Sequence, residues 1–243
     1  MMREMRHETI LRHPIIVDSS TGLILDGTHR SATLRALGFE YVPVAEIDYR
    51  NPLVTLSRWY RIIDGQKLGS FLSEIQDFHP ERVDRELADE MLKQRKTFAT
   101  LHDLNETIIF PTNTSEGLEH SRLGFKIEQI ARKRGLTINY ADVPQLDHSL
   151  PDRFVLSGIQ VTKDEVVDVT HRNMLYPPKT TRHLIPSRPL STRTPFEWLR
   201  NTRDHVEAED LFIRQLEKKT VRRLAPGTWV GSRRYQEEVF LFE

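Results

Sequence analysis

Residues 22–38 read GLILDGTHRSATLRALG, and their reading decides the rest of the chain. Leu23, Ile24 and Leu25 form a short apolar run of the kind found in a buried strand, and Asp26-Gly27 is a turn signal. Thr28 is placed to serve as an N-cap. Ala32, Leu34, Ala36 and Leu37 supply a helical apolar face, and Gly38 stands where a terminating glycine belongs. A strand thus runs through a tight turn straight into a helix. That geometry collects unpaired backbone N–H groups and the positive end of the helix dipole at one spot, which suits a phosphate. His29 and Arg30 lie in the first turn, where cations oppose the dipole unless an anion answers them. Two readings follow from the residues alone: a helix entry that carries two basic side chains, or an anion site with the Asp26 carboxylate beside it. The pattern is neither G-x-x-x-x-G-K-[ST] nor G-x-G-x-x-G.

Working outward, Ile15-Ile16-Val17 reads as a strand that a turn-rich 18–22 joins to Leu23–Leu25 as a hairpin. Val42 to Ile47 reads as a third strand and Thr55 to Ile63 as a fourth. Helices are expected over Pro80–Phe98, Glu119–Arg134 and Val206–Leu224, with a helical segment starting at Phe196–Leu199. Arg132, Lys133 and Arg134 suit the C-terminal end of their helix. Leu136–Tyr140, Phe154–Leu156 and Val166–Val169 look like strands, and Thr228–Val230 and Val239–Phe242 like a hairpin around Gly231–Gln236. In Tyr176–Pro189, YPPKTTRHLIPSRP, the prolines argue against regular structure, while Lys179, Arg182, His183 and Arg188 crowd one loop.

The 243 residues carry 35 Lys+Arg against 35 Asp+Glu, a balance that argues against a nucleic-acid-binding surface. No apolar run reaches the about 18 residues of a membrane span, and the N-terminus lacks the apolar core of a signal peptide. With no cysteine there is no disulfide, thiolate metal site or cysteine nucleophile, and a cytoplasmic protein is expected.

The string Ile24-Leu25-Asp26-Gly27-Thr28-His29-Arg30, followed by Ala32, Leu34 and Leu37-Gly38, resembles the ParB/sulfiredoxin-like superfamily. Within it the chain is most similar to the free L-serine kinases, which carry an Asp-Gly-His-His-Arg box, a helix and a Val-Pro strand, matched here by Tyr41-Val42-Pro43-Val44. Their upstream His-Glu is matched by His7-Glu8, and their Thr-x-His by Thr181-Arg182-His183. Thr28 stands where that family has its first histidine. The resemblance implies an α+β (mixed α/β) fold: a ParB/sulfiredoxin-like nucleotide-binding domain over residues 1–65, packed on a larger α/β domain over 66–243. That larger domain contributes the acceptor loop 176–189, segment 194–243 remains unassigned, and nucleotide and acceptor meet in the cleft between the domains.

The implied activity is transfer of a phosphoryl group from ADP or ATP to the hydroxyl of free L-serine, in amino-acid and specifically cysteine biosynthesis. Glu8 would accept the hydroxyl proton, with Asp26 as the alternative base. Gly27, Thr28, His29 and Arg30 would hold the phosphates, Thr181 and His183 the amino acid, and Lys179 or Arg182 its carboxylate. Mg²⁺ would bridge phosphate oxygens near Asp26. The alternatives are a ParB-like nucleotide-dependent DNA-binding protein and a kinase for another small hydroxy compound such as L-threonine.

Overall fold

The structure is a computed structural model that describes residues 9–144, 146, 149–200, 204–231 and 233–243. Its contacts divide the chain into two units, one formed by the chain up to Thr55 together with His183–Glu243 and the other by Leu56–Arg182. The expected boundary near residue 65 therefore shifts, and the chain from His183 onward joins the N-terminal unit.

In the first unit, Ile15–Asp18 is the middle strand of three, paired antiparallel with Ile24–Asp26 and parallel with Val44–Ile47. The helix Thr28–Ala36 makes the crossover that a parallel pair requires. Its N-cap is Gly27 and Thr28 is the first helical residue, which corrects the expected Thr28 cap. The reason is conformational. Gly27 has φ 96°, where a side chain is strained, and a Cβ there would lie 3.0 Å from Arg30 Nη2 and 3.2 Å from Ile15 Cγ1. Gly38, at φ 75°, ends the helix with its N–H on the Arg35 carbonyl, as the sequence indicated.

Leu34, Ile15 and Phe39 form the core of this unit together with Phe196 and Leu199, Phe39 and Phe196 meeting edge-on at 4.9 Å. Those last two residues lie in turns, not in the expected helix, and are held by burial. The proline-rich stretch does form strands, Arg182–Leu184 and Arg188–Leu190. The latter pairs parallel with Val239–Phe242, which pairs antiparallel with Val221–Leu224. The expected helix to Leu224 accordingly stops at Glu217, and the expected terminal hairpin is replaced: Trp229–Val230 pairs with Arg233–Arg234 instead. Sheet partners remote in sequence decide these segments, a term that local pattern does not contain.

The second unit is built on a six-stranded sheet, antiparallel throughout, in the order Thr137–Ala141, Tyr60–Asp64, Arg153–Gly158, Thr97–His102, Thr107–Pro111, Glu81–Val83. Thr97–His102 is buried along its whole length, and the helices Arg85–Lys93 and Gly117–Lys133 both pack against it. Phe71 stacks on Phe154 at 5.1 Å and Phe98 on Phe110 at 5.2 Å. Each such ring contributes about 1.5–3 kcal/mol by leaving water. The helix expected over Pro80–Phe98 is shorter than its apolar spacing suggests: Asp84 caps it, and it ends before Arg95, whose φ of 59° turns the chain into the central strand. Likewise the Thr55–Ile63 run divides into Thr55–Ser57 and Tyr60–Asp64.

Val166–Val169, expected as a strand, lies in the helix Lys163–His171. A capping box overrides the β-branched run there. Thr162 Oγ1 accepts the Glu165 N–H at 3.2 Å, and Glu165 Oε2 accepts the Thr162 N–H at 2.7 Å.

Candidate functional site

The turn at Asp26-Gly27 is braced by two guanidiniums, those of Arg30 and Arg188. Arg30 reaches back from the helix and donates through Nη1 to the carbonyls of His13 (2.8 Å) and Pro14 (2.9 Å), while its Nη2 lies 3.6 Å from Asp26 Oδ2. Arg188, only 2% exposed, donates through Nη1 to Asp26 Oδ2 at 2.6 Å, through Nε to Glu237 Oε1 at 2.8 Å and through Nη2 to the His183 carbonyl at 2.9 Å. One guanidinium thereby ties the motif carboxylate, the C-terminal segment and the His183 strand together. Thr28 and His29 remain exposed at the helix entry. The first-turn N–H groups there have no intrahelical acceptor, so the entry is suited to an anion.

Electrostatics assign Asp26 a role. Burial alone would raise its pKa, but Arg188 and then Arg30 outweigh it, and the carboxyl is held below its ordinary value. A carboxylate so anchored is a weak proton acceptor, and its place between two guanidiniums suits a strut of the turn. It does not fit a resident Mg²⁺, since two cations already face the same oxygen. Among the described residues no group of three or more His, Asp or Glu side chains is arranged to hold a metal. Beside the turn, His13 Nδ1 accepts the Ser191 N–H at 3.0 Å, and its pKa is pushed down to about 4 by burial and then by Arg30.

His183 is buried, with Nε2 2.9 Å from the Tyr49 hydroxyl. Tyr49 in turn donates its N–H to Asp18 Oδ1 at 3.0 Å. Burial would raise the Asp18 pKa, yet hydrogen bonds from Ser20, Thr21 and Tyr49 prevail and hold it at about 2. The proposed acceptor histidine is thus fixed to the loop that follows the third strand of the first unit.

The remaining expected acceptor residues fall in the second unit. Lys179 is exposed, with backbone φ 60°, and its Nζ lies 4.7 Å from the Trp59 ring centroid and 5.3 Å from that of Tyr140. Arg182 is 4% exposed, forms an ion pair with Asp142 at 3.0 Å and lies over Trp59 at 4.8 Å. Arg182 is therefore buried and paired, whereas Lys179 is exposed. Thr181 is half-buried between them. Glu8 lies outside the described residues. The sequence reading missed Arg188 as a hub, Glu237 as its partner and Trp59 beneath Lys179. Arg188 left a trace as one of the basic residues crowding 176–189, and Trp59 as an aromatic of the expected Thr55–Ile63 strand.

No family model matches the chain. An ATP-dependent L-serine kinase of Staphylothermus marinus is 29% identical over 214 residues, covering 82% of each protein. An ADP-dependent L-serine kinase, SerK, of Thermococcus kodakarensis is 28% identical over 178 residues, or 69% of each. Among solved structures, a free serine kinase variant in complex with ADP superposes with a TM-score of 0.66 at 23% identity, covering 82% of this chain and 84% of that one. The mixed α/β fold inferred from the Asp26–Arg30 string is thus one that this chain shares with a free serine kinase. Among the described residues, no helix is long and apolar enough to cross a membrane.

Proposed function

We propose that this protein transfers a terminal phosphoryl group from ADP or ATP to the hydroxyl of free L-serine, yielding O-phospho-L-serine. The observation that carries the reading is the Gly27-capped helix entry with Asp26 clamped by Arg30 and Arg188. The similarity to L-serine kinases over 82% of the chain supports it. The first-turn N–H groups with Thr28 and His29 take the donor's phosphates, and Arg30 shapes the turn from behind. Positioning and charge stabilisation of this kind account for most of the catalysis in phosphoryl transfer. Lys179 takes the serine carboxylate, with Thr181 and His183 completing the acceptor set.

The serine hydroxyl attacks the terminal phosphorus, the bond to the bridging oxygen breaks, and the hydroxyl proton passes to Glu8. General-base assistance of this sort contributes about 10²–10⁴-fold. Mg²⁺ carried by the nucleotide would neutralise phosphate charge. A cytoplasmic setting and a role in cysteine biosynthesis belong to the same proposal.

A donor-by-acceptor matrix tests it: ADP or ATP with Mg²⁺ and L-serine, L-threonine or glycerol, with products identified by mass. O-phospho-L-serine is expected. Glu8→Gln should remove most of the activity while leaving the unfolding midpoint in place, and Arg30→Ala should weaken nucleotide binding. Absence of phosphoserine with either donor overturns the proposal.

A further inference from the structure

The loop carrying Lys179 rests on a buried carboxylate that the proposed chemistry does not use. Glu128, on the helix Gly117–Lys133, is 1% exposed. A carboxylate in that position is costly unless its oxygens are answered. They are answered by Arg61 Nε at 3.0 Å, Arg132 Nη2 at 3.0 Å and the Tyr140 hydroxyl at 2.5 Å. Burial would raise its pKa, but hydrogen bonds from Tyr140 and Arg61 hold it below the usual range, so Glu128 stays charged.

Two of these partners reach onward to the ligand loop. Arg61 Nη1 donates to the Trp59 carbonyl at 3.1 Å and Nη2 to the Pro178 carbonyl at 3.4 Å. One guanidinium therefore grips both the backbone of the aromatic residue beside Lys179 and the residue immediately before it. Tyr140 presents its ring to Lys179 Nζ while its hydroxyl is fixed on Glu128. Lys179 occupies the left-handed region that a lysine rarely adopts without restraint, so the loop needs such holding.

We propose that Glu128 is a positioning residue for the acceptor: through Arg61 and Tyr140 it sets the Trp59–Lys179–Tyr140 cradle that receives the carboxylate of the amino-acid substrate. This rests on the serine-kinase reading. Stability alone does not account for the arrangement, because a buried ion pair replaced on both sides by apolar residues is often as stable. An apolar pair cannot hold two backbone carbonyls.

The test compares Glu128→Gln, Tyr140→Phe and the double variant Arg61→Met/Glu128→Leu with the wild type. For Glu128→Gln the KM for serine should rise about tenfold, as loss of one charged hydrogen-bond set predicts, with kcat and the nucleotide KM little changed. Tyr140→Phe keeps the ring and should show a smaller rise. The double variant should unfold near the wild-type midpoint yet carry the same serine KM defect; should Glu128→Gln not fold, this variant decides. Variants that fold and keep the wild-type serine KM, or that lose kcat alone, overturn the proposal and leave the kinase reading standing. A wild type that makes no phosphoserine overturns the kinase reading. In that event the emission of Trp59 in a Trp198→Phe/Trp229→Phe background decides the positioning role: a shift on Glu128→Gln supports it, and an unchanged spectrum ends it.

Discussion

Each of the two units turns on one buried charge, with the signs exchanged. In the unit that holds the Asp26-Gly27 turn the hub is a guanidinium, Arg188, between the carboxylates of Asp26 and Glu237. In the other it is a carboxylate, Glu128, between the guanidiniums of Arg61 and Arg132 with the Tyr140 phenol. The difference lies in what the partners can do when the hub is lost. Each hub has one accessible partner, Asp26 at 35% and Arg132 at 48%, and one trapped partner, Glu237 at 4% and Arg61 at 8%. Among the described residues Glu237 Oε2 has no hydrogen-bond partner, whereas Arg61 also bonds the carbonyls of Trp59 and Pro178. A hub whose trapped partner has nothing else to hold is a structural keystone. A hub whose trapped partner keeps other bonds can be altered without collapse, which is what a residue tuning a ligand loop requires.

The sharpest way to break this comparison is to remove each hub. Arg188→Met leaves a buried carboxylate unpaired and should cost about 3–5 kcal/mol in urea unfolding. Glu128→Gln should cost less, about 1–3 kcal/mol, because Arg132 turns to solvent and the amide still accepts one bond. Equal losses would erase the distinction.

Acid titration sharpens it further. His102, 1% exposed in the central strand of the second unit, has its pKa pushed down to about 3 by burial and then by Arg85. A histidine whose folded pKa is depressed contributes stability that is complete above its unfolded value near 6.5 and is lost as pH falls toward 3. In the first unit His13 loses its contribution over the narrower span from 6.5 to about 4. Asp18 then takes over, losing its own as pH falls from 3.8 toward 2. His102→Phe should therefore flatten the loss of unfolding midpoint between pH 6 and 4, an effect on the order of 3 kcal/mol at most. A profile unchanged by that substitution would show that the ring titrates normally.

The smallest expected effect concerns local structure. Thr162→Ala removes the capping box that makes a helix of Lys163–His171 and should cost about 1 kcal/mol in unfolding free energy. A larger loss would mean that Glu165, which also pairs with Arg95, had lost its place in the fold.

The elements legible in the sequence are those with their own boundary chemistry. The Asp26-Gly27 turn, the helix ended by Gly38 and the hairpin before it all follow from residues within a few positions of one another. The helix Gly117–Lys133 and the strand Thr137–Ala141 after Gly135 follow in the same way. Val166–Val169 was misread because a run of β-branched residues outweighed a Thr-x-x-Glu signal that was also present. Of the site, the Asp26–Arg30 turn and the Lys179–His183 loop were visible as clusters, but their division of labour was not. That Arg182 is packed away while Lys179 faces outward depends on Asp142 and Trp59.

The sequence by itself determined where the chain turns at Asp26-Gly27, where the helices before Gly38 and Gly135 end and which short stretches crowd basic side chains, because spacing, caps and glycines act over a single turn of backbone. Only the tertiary structure decided that the segment after His183 returns to the N-terminal unit, that Arg188 clamps Asp26, and that Glu128 lies beneath the Lys179 loop. Those outcomes are set by strand pairing and buried ion pairing between residues far apart in the chain. The partner in each case becomes a partner only through its position in space.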